Sequence, residues 1–232
     1  MDKSLIHLEH NPGLHFKSRH KCSKNSLLLN NICNLTVKRI LDITISALLL
    51  VVLMPLLLAI TLLIKFTDGG SVLFLQVRVG KGGKKFLFPK FRSMRINAEE
   101  EQNALFNLNV HKNNLTFKVK NDPRITWIGY YIRKWSIDEL PQLWCVIKGD
   151  MSLVGPRPPI PSEVEQYNLT EKHRLDVLPG LTCIWQVSGR SDIPFAKQVE
   201  LDMQYIEQQS IWLDIKLLIK TIPAVLSGKG AY

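Results

Sequence analysis

Two adjoining carboxylates, Asp138 and Glu139, lie in the stretch WSIDELPQL, residues 135–143. Neighbouring helical positions project about 100° apart, so the two acids cannot do one job from one place. At a helix start they can divide the work, one attacking and the other holding a metal. Pro141 is tolerated only in a first helical turn, which puts the start of that helix near Asp138. Read alone, Asp138 is better explained as an N-cap and Glu139 as an ordinary first-turn acid. Their company changes the reading. Basic residues recur in short loop motifs: Lys90 and Arg92 in KFRSM, Arg124 in DPRIT, Arg133 and Lys134 just ahead of the acids, Arg157 in VGPRPP, Arg190 in SGRS. Each singly reads as a solvated surface charge. Together, guanidinium groups held by Pro and Gly around one acidic pair suit bidentate capture of phosphate.

Phosphoryl transfer needs the phosphates neutralised, a Mg²⁺ with oxygen ligands and an in-line nucleophile. This sequence can furnish all three. His111 and His173 are the only histidines outside the N-terminal tail, and neither G-x-S-x-G nor HExxH occurs. The turn Gly80-Lys81-Gly82-Gly83 lacks the spacing of a P-loop. A carboxylate nucleophile forming an acyl-phosphate is then the economical mechanism.

The chain of 232 residues carries 30 basic against 20 acidic side chains, a formal charge of +10. That excess calls for an anionic partner: nucleic acid, an anionic membrane surface or phosphorylated small molecules. Aromatics are not interleaved with the basic residues as a nucleic-acid stacking platform requires, which argues against nucleic acid. Cys22, Cys33, Cys145 and Cys183 form no CxxC or zinc spacing and read as reduced thiols. His20 and Cys22 sit in a His-dotted tail that reads as unstructured rather than metal-binding.

Residues 43–64, ITISALLLVVLMPLLLAITLLI, carry no charge. At about 1.5 Å per residue this run just crosses a bilayer core of roughly 30 Å. Pro55 near its middle removes a backbone hydrogen bond and predicts a kink. Residues 1–39 hold seven Lys/Arg against Asp2 and Glu9, and the chain beyond the apolar run is again basic. Both flanks therefore favour the cytoplasmic face, and a bent, re-entrant helix satisfies both observations. The expected organisation is a basic, disordered tail over 1–37, a re-entrant membrane helix over 38–66, and a cytoplasmic catalytic domain over 67–232.

Within that domain, SVLFLQVRVGKGGKKFLFPKF reads as a β-hairpin about the Gly-rich turn. Residues 97–110 read as a helix, and FKVKNDPRIT as a short strand and turn. Helix is expected on both sides of Ser136, around Glu163 to Tyr167, and around 200–208. Residues 211–226 fit an interfacial amphipathic helix, with a plain core helix as the alternative. The fold class is α+β: helix-rich, with a small β-hairpin sheet.

In order along the chain, KRILDIT, an apolar segment with a central Pro, QVRVG, KFRSM, DPRIT, IRKWSIDELPQL, GDMSLVGPRP, LPGLT, QVSGR and SIWLDIKLLIKTIPAVL closely resemble the bacterial sugar transferase family, the monotopic phosphoglycosyl transferases. The resemblance runs from about Lys38 to the end. It implies an inner-membrane enzyme that moves a hexose-1-phosphate from a UDP-sugar to polyprenyl (undecaprenyl) phosphate, starting exopolysaccharide, capsule or O-antigen synthesis. By the family pattern Asp138 is the nucleophile and Glu139 the Mg²⁺ ligand. Arg157 and Arg190 hold the nucleotide-sugar phosphates, Lys90 and Arg92 face the same cavity, and Lys38, Arg39, Asp42 and Pro55 belong to the re-entrant helix. This chain departs in having Met54 where many members have Ser, and Cys183 where many have Gly. The long insertion between KFRSM and DPRIT resembles that of hexose-transferring relatives, which points to glucose or galactose. A basic membrane-anchored binding protein and a Mg²⁺-dependent lipid diphosphate phosphatase are the competing readings.

Overall fold

The computed structural model describes residues 24–101 and 122–230. Its first element is one helix, α1, Lys24–Asp68, of 45 residues with Pro55 inside it. It begins fourteen residues ahead of Lys38, so the last part of the expected tail is helical. The part from Asn34 to Thr67 is long and apolar enough to cross a membrane, and its most apolar stretch is only 11% buried. A core helix of a water-soluble domain would be covered; here Leu48, Val51, Val52, Leu58 and Leu62 are exposed. The opposite side of α1 packs inward, with Ile60 and Ile64 against Phe91, Ile128 and Ile132.

Lys38, Arg39 and Asp42 do something the sequence did not foretell. Lys38 Nζ donates to Asp214 Oδ2 at 2.6 Å and to the Val154 carbonyl at 3.2 Å. Arg39 donates to the carbonyls of Val146 and Ile147 at 2.6 and 2.8 Å. Those carbonyls lie at the C-terminal end of a helix, where a cation is favoured. Buried Asp42 accepts from Leu153 N at 3.1 Å. The three therefore clamp α1 to the domain. Lys38 and Arg39 thus bond protein partners as well as flanking the apolar run.

The hairpin forms where expected. β1, Leu73–Val79, pairs antiparallel with β2, Lys85–Phe91, and Val79 stands opposite Lys85 across the Gly-rich turn. Beyond the undescribed segment come α2, Trp127–Lys134; a 3₁₀ helix, Ile137–Gln142; and α3, Leu143–Lys148. Of the helix expected over 97–110, only 97–101 is described, as turns that run into 3₁₀ helix at 100–101; the rest of it and the FKVK strand lie outside the described residues.

A second sheet, unforeseen, is parallel: β3, Ser152–Val154, beside β4, Gly180–Thr182. Three-residue strands are too short to show an alternation. Their approach depends on glycine, since a Cβ on Gly180 would stand 2.0 Å from Gly155 N. Between them lie α4, Pro161–Glu165, and α5, Leu169–Lys172. Tyr167 falls after α4 rather than within it. The chain closes with α6, Ile184–Ser188; α7, Phe195–Gln208; and α8, Ile211–Ser227. α7 is longer than its sequence signal because Phe195 and Val199 pack with Tyr167.

The main core joins the hairpin to these elements. Phe86 and Phe88 of β2 meet Leu143 and Val146 of α3, Leu153 and Val154 of β3, Tyr205 of α7 and Leu217 of α8. The outward side of α8 carries Trp212, Ile215, Ile219, Ile222 and Leu226, all exposed at helical three-four spacing. That stripe is the amphipathic face expected from the sequence. The α+β, helix-rich class also holds.

Candidate active site

The acidic pair sits on a tighter element than expected. α2 is capped by Thr126, whose side chain accepts from Gly129 N, and runs to Lys134. The chain then reverses through Ser136, left-handed at φ 53°, and enters the 3₁₀ helix rather than an α-helix. Pro141 lies within that helix, and regular α-helix resumes only at Leu143. With about three residues per turn, neighbouring side chains separate still more, so Asp138 and Glu139 face different partners.

Asp138 is buried, at 9% exposure. Burial, reinforced by the neighbouring Glu139 charge, pushes its carboxyl up to about 6. Glu139 is gripped from two strands of chain. Arg157 Nη2 donates to its Oε1 at 2.6 Å and Nη1 to its Oε2 at 3.3 Å, a bidentate fork. Lys90 Nζ lies 3.9 Å from Glu139 Oε1 and over the Phe88 ring. Burial and the Arg157 charge bring the Lys90 ammonium down to about 7. Arg157 is also penalised by burial, but the charge and hydrogen bonds of Glu139 outweigh this and keep it firmly protonated.

These groups line a cavity of about 830 Å³, where basic side chains outnumber acidic ones nine to five. That size suits a ligand of nucleotide-sugar dimensions, and the charge balance suits an anion. Arg92 enters beside Gly70, whose missing side chain leaves room for the guanidinium: a Cβ there would stand 2.0 Å from Arg92 Nη1. Arg190 donates from Nη2 to Ser136 Oγ at 3.3 Å, while its Nη1 is buried with no hydrogen-bond partner. Five of the residues singled out from the sequence, Asp138, Glu139, Lys90, Arg157 and Arg190, thus converge, and Arg92 joins them on the lining.

Arg124 does not share that role. It reaches the cavity edge, but it is buried and forks onto Asp122 at 2.6 and 2.9 Å while also donating to the Ala98 carbonyl at 2.8 Å. A guanidinium so engaged pins its own loop. The clue was local, because the aspartate stands two residues away in the same DPR motif.

Three cavity arginines, Arg78, Arg95 and Arg174, escaped the sequence reading. Arg78 sits on the inward face of β1, donating to Gln76 and to the Pro158 carbonyl, and so braces the loop that carries Arg157. Period-two alternation with Phe74 and Gln76 was its signal. Arg174 has none, since EKHRLD reads as a solvated turn. It donates to Asp202 at 2.9 Å, to Tyr167 Oη at 2.6 Å and to the Arg157 carbonyl at 3.4 Å. Behind the same loop, Lys38 donates to both the Val154 carbonyl and Asp214, and Tyr205 Oη, with its single proton, lies 2.8 Å from Asp214 Oδ1 and 3.0 Å from the Val154 carbonyl. The clamp on α1 and the support of Arg157 therefore hold two points, Val154 and Arg157, of one segment.

A buried carboxylate beside a cation-lined cavity, on a domain clamped to one long apolar helix, is an arrangement suited to an anionic ligand. The chain belongs to the bacterial sugar transferase family, whose model matches residues 33–228. Among its relatives, the galactosyl transferase CpsE of Streptococcus agalactiae serotype III is 54% identical over 167 residues, 71% of this chain and 36% of that protein. The exopolysaccharide production protein ExoY of Rhizobium meliloti is 43% identical over 75% of this chain and 78% of its own. The undecaprenyl-phosphate galactose phosphotransferase of Salmonella typhimurium is 46% identical over 71% of this chain and 35% of its own. The matched part thus spans little more than a third of the streptococcal and Salmonella proteins.

Proposed function

We propose that the chain transfers a hexose-1-phosphate, galactose or glucose, from a UDP-sugar to undecaprenyl phosphate and releases UMP. The observation that carries the reading is buried Asp138, ionising near 6, set beside Glu139 in a cavity rich in cations. The Asp138 carboxylate attacks the sugar-bearing phosphorus. The bond from that phosphorus to the UMP oxygen breaks, and UMP leaves with the electron pair. An oxygen of the polyprenyl phosphate then attacks the same phosphorus and frees the Asp138 carboxylate. The Arg157–Glu139 fork and Lys90 hold the second carboxylate and the phosphates in register, and Arg190 offers a free N–H donor.

The donor set for Mg²⁺ is small: among the described residues no three His, Cys, Asp or Glu side chains gather. Magnesium commonly binds through one or two carboxylates and completes its shell with substrate phosphates and water. Glu139 fits that role, with Arg157 sharing its oxygens. When bound there, the ion supplies charge neutralisation to the diphosphate.

α1 provides the membrane anchor, with Pro55 favouring a re-entrant bend that leaves both ends in the cytoplasm. Exposed Trp127, Tyr130, Tyr131, Trp135 and Trp144 around the acidic pair, and Trp212 on α8, suit the headgroup zone, where amphipathic aromatics settle. A lipid phosphate at that depth lies within reach of the cavity. A nucleic-acid binder has no claim on these features, and the phosphatase reading leaves the UDP-sugar relatives unexplained.

Mass spectrometry of enzyme incubated with UDP-galactose or UDP-glucose alone tests the proposal. The expected result is a hexose-phosphate adduct on Asp138 and UMP in the supernatant. Turnover with Asp138 unmodified, or undiminished turnover in Asp138→Asn, would overturn it.

A further inference from the structure

Ser136 occupies the N-cap of the 3₁₀ helix, where a serine ordinarily accepts from an N–H two or three residues on. Here its hydroxyl caps nothing. Its backbone is also left-handed, at φ 53°, a conformation that glycine and asparagine adopt far more readily. Neither capping nor backbone preference therefore accounts for a serine at this position. Its hydroxyl accepts instead from Arg190 Nη2, 54 residues away in sequence.

Arg190 is held as unusually as its partner. Its φ is also 53°, so the two non-glycine residues at positive φ among those described are bonded to each other. Strained backbone of this kind persists where the surroundings impose it, and it gathers at functional sites. The surroundings are visible. Gly230, at φ 67°, closes behind the Arg190 loop: its carbonyl accepts from Ser191 N at 3.3 Å, and a Cβ there would meet the Gly189 oxygen at 2.5 Å and Arg190 Cβ at 3.1 Å. One guanidinium nitrogen is fixed by Ser136, and the other is buried in the cavity wall with no partner.

The geometry points to Ser136 as a positioning residue that ties the Arg190 guanidinium to the helix bearing Asp138. A phosphate held by Arg190 is then registered against a carboxylate two residues along from the serine. This rests on the transferase reading above and adds to it a part for a residue that acts through Arg190.

Two substitutions separate this role from a structural one. Ser136→Gly keeps the backbone freedom and deletes the acceptor. Ser136→Asn tolerates the same φ and restores an acceptor through its side-chain carbonyl. UMP release with UDP-galactose or UDP-glucose and undecaprenyl phosphate, and the melting midpoint, are measured for each. Ser136→Gly should melt at or above the wild-type temperature yet lose about tenfold or more in kcat/KM, the scale of a hydrogen bond to a charged group. Ser136→Asn should recover most of that loss. In an Arg190→Ala background, Ser136→Gly should cost nothing further, because the two act as a unit. Wild-type rates in Ser136→Gly, or equal impairment of the Gly and Asn variants, would overturn the inference alone. A wild-type enzyme that releases no UMP would overturn the transferase reading, and the inference with it.

Discussion

Replacing Lys90 with glutamine should remove one limb of the pH profile. On the proposed mechanism Asp138 must be ionised to attack, and its carboxyl is raised from 3.8 to about 6, so kcat/KM should fall as pH drops through 6. Lys90 must be charged to hold Glu139 and the phosphates, and its ammonium is lowered from 10.5 to about 7, so kcat/KM falls again as pH rises through 7. The fraction with both groups in the active form peaks near pH 6.5. From these values kcat/KM declines about sevenfold by pH 5 and about twentyfold by pH 8.5. The two limbs belong to the interacting pair rather than to either group alone. Lys90→Gln removes the group responsible for the alkaline limb. It also removes a positive charge that favours the Asp138 carboxylate, so the acid limb should move upward. The assay is initial-rate UMP release from pH 4.5 to 9 at fixed ionic strength. An alkaline limb that survives in Lys90→Gln would refute the assignment to Lys90. A wild-type rate level down to pH 4.5 would refute Asp138 as the attacking group.

Arg124→Met should destabilise the fold by about 3 kcal/mol, because it strands the buried Asp122 carboxylate, while leaving KM for the UDP-sugar unchanged; a raised KM in a folded variant would return Arg124 to the binding site. Asp214→Ala removes the acceptor of both Lys38 and Tyr205, and should lower stability in detergent by about 3 kcal/mol; Lys38→Met combined with it should cost less than the sum of the two singles. Cysteines introduced at Ser4 and at Lys229 should both react with an impermeant thiol reagent only from the cytoplasmic side, and labelling from opposite sides would establish a true span.

Much of the architecture answers to local rules and could be read from residue order. The Gly80–Gly83 turn between two β-rich runs, the uncharged stretch of α1 and the three-four stripe of α8 each express one element's own pattern. Asp138 and Glu139 stood out for the same reason, through Pro141 and the cations recurring nearby in sequence. Tertiary structure alone decided which cations serve them. Arg124 and Arg157 both follow or precede proline in a short loop, yet one folds back on Asp122 two residues away and the other crosses eighteen residues to Glu139. Lys38 and Arg39 read only as flank charges until α1 docks and brings them onto α3, β3 and α8. Arg174, the β3–β4 pair and the bond from Arg190 to Ser136 left no periodic trace, because each partner lies far along the chain. A side chain's type limits what it can bond; which groups come within 3 Å of it is set by how distant segments pack.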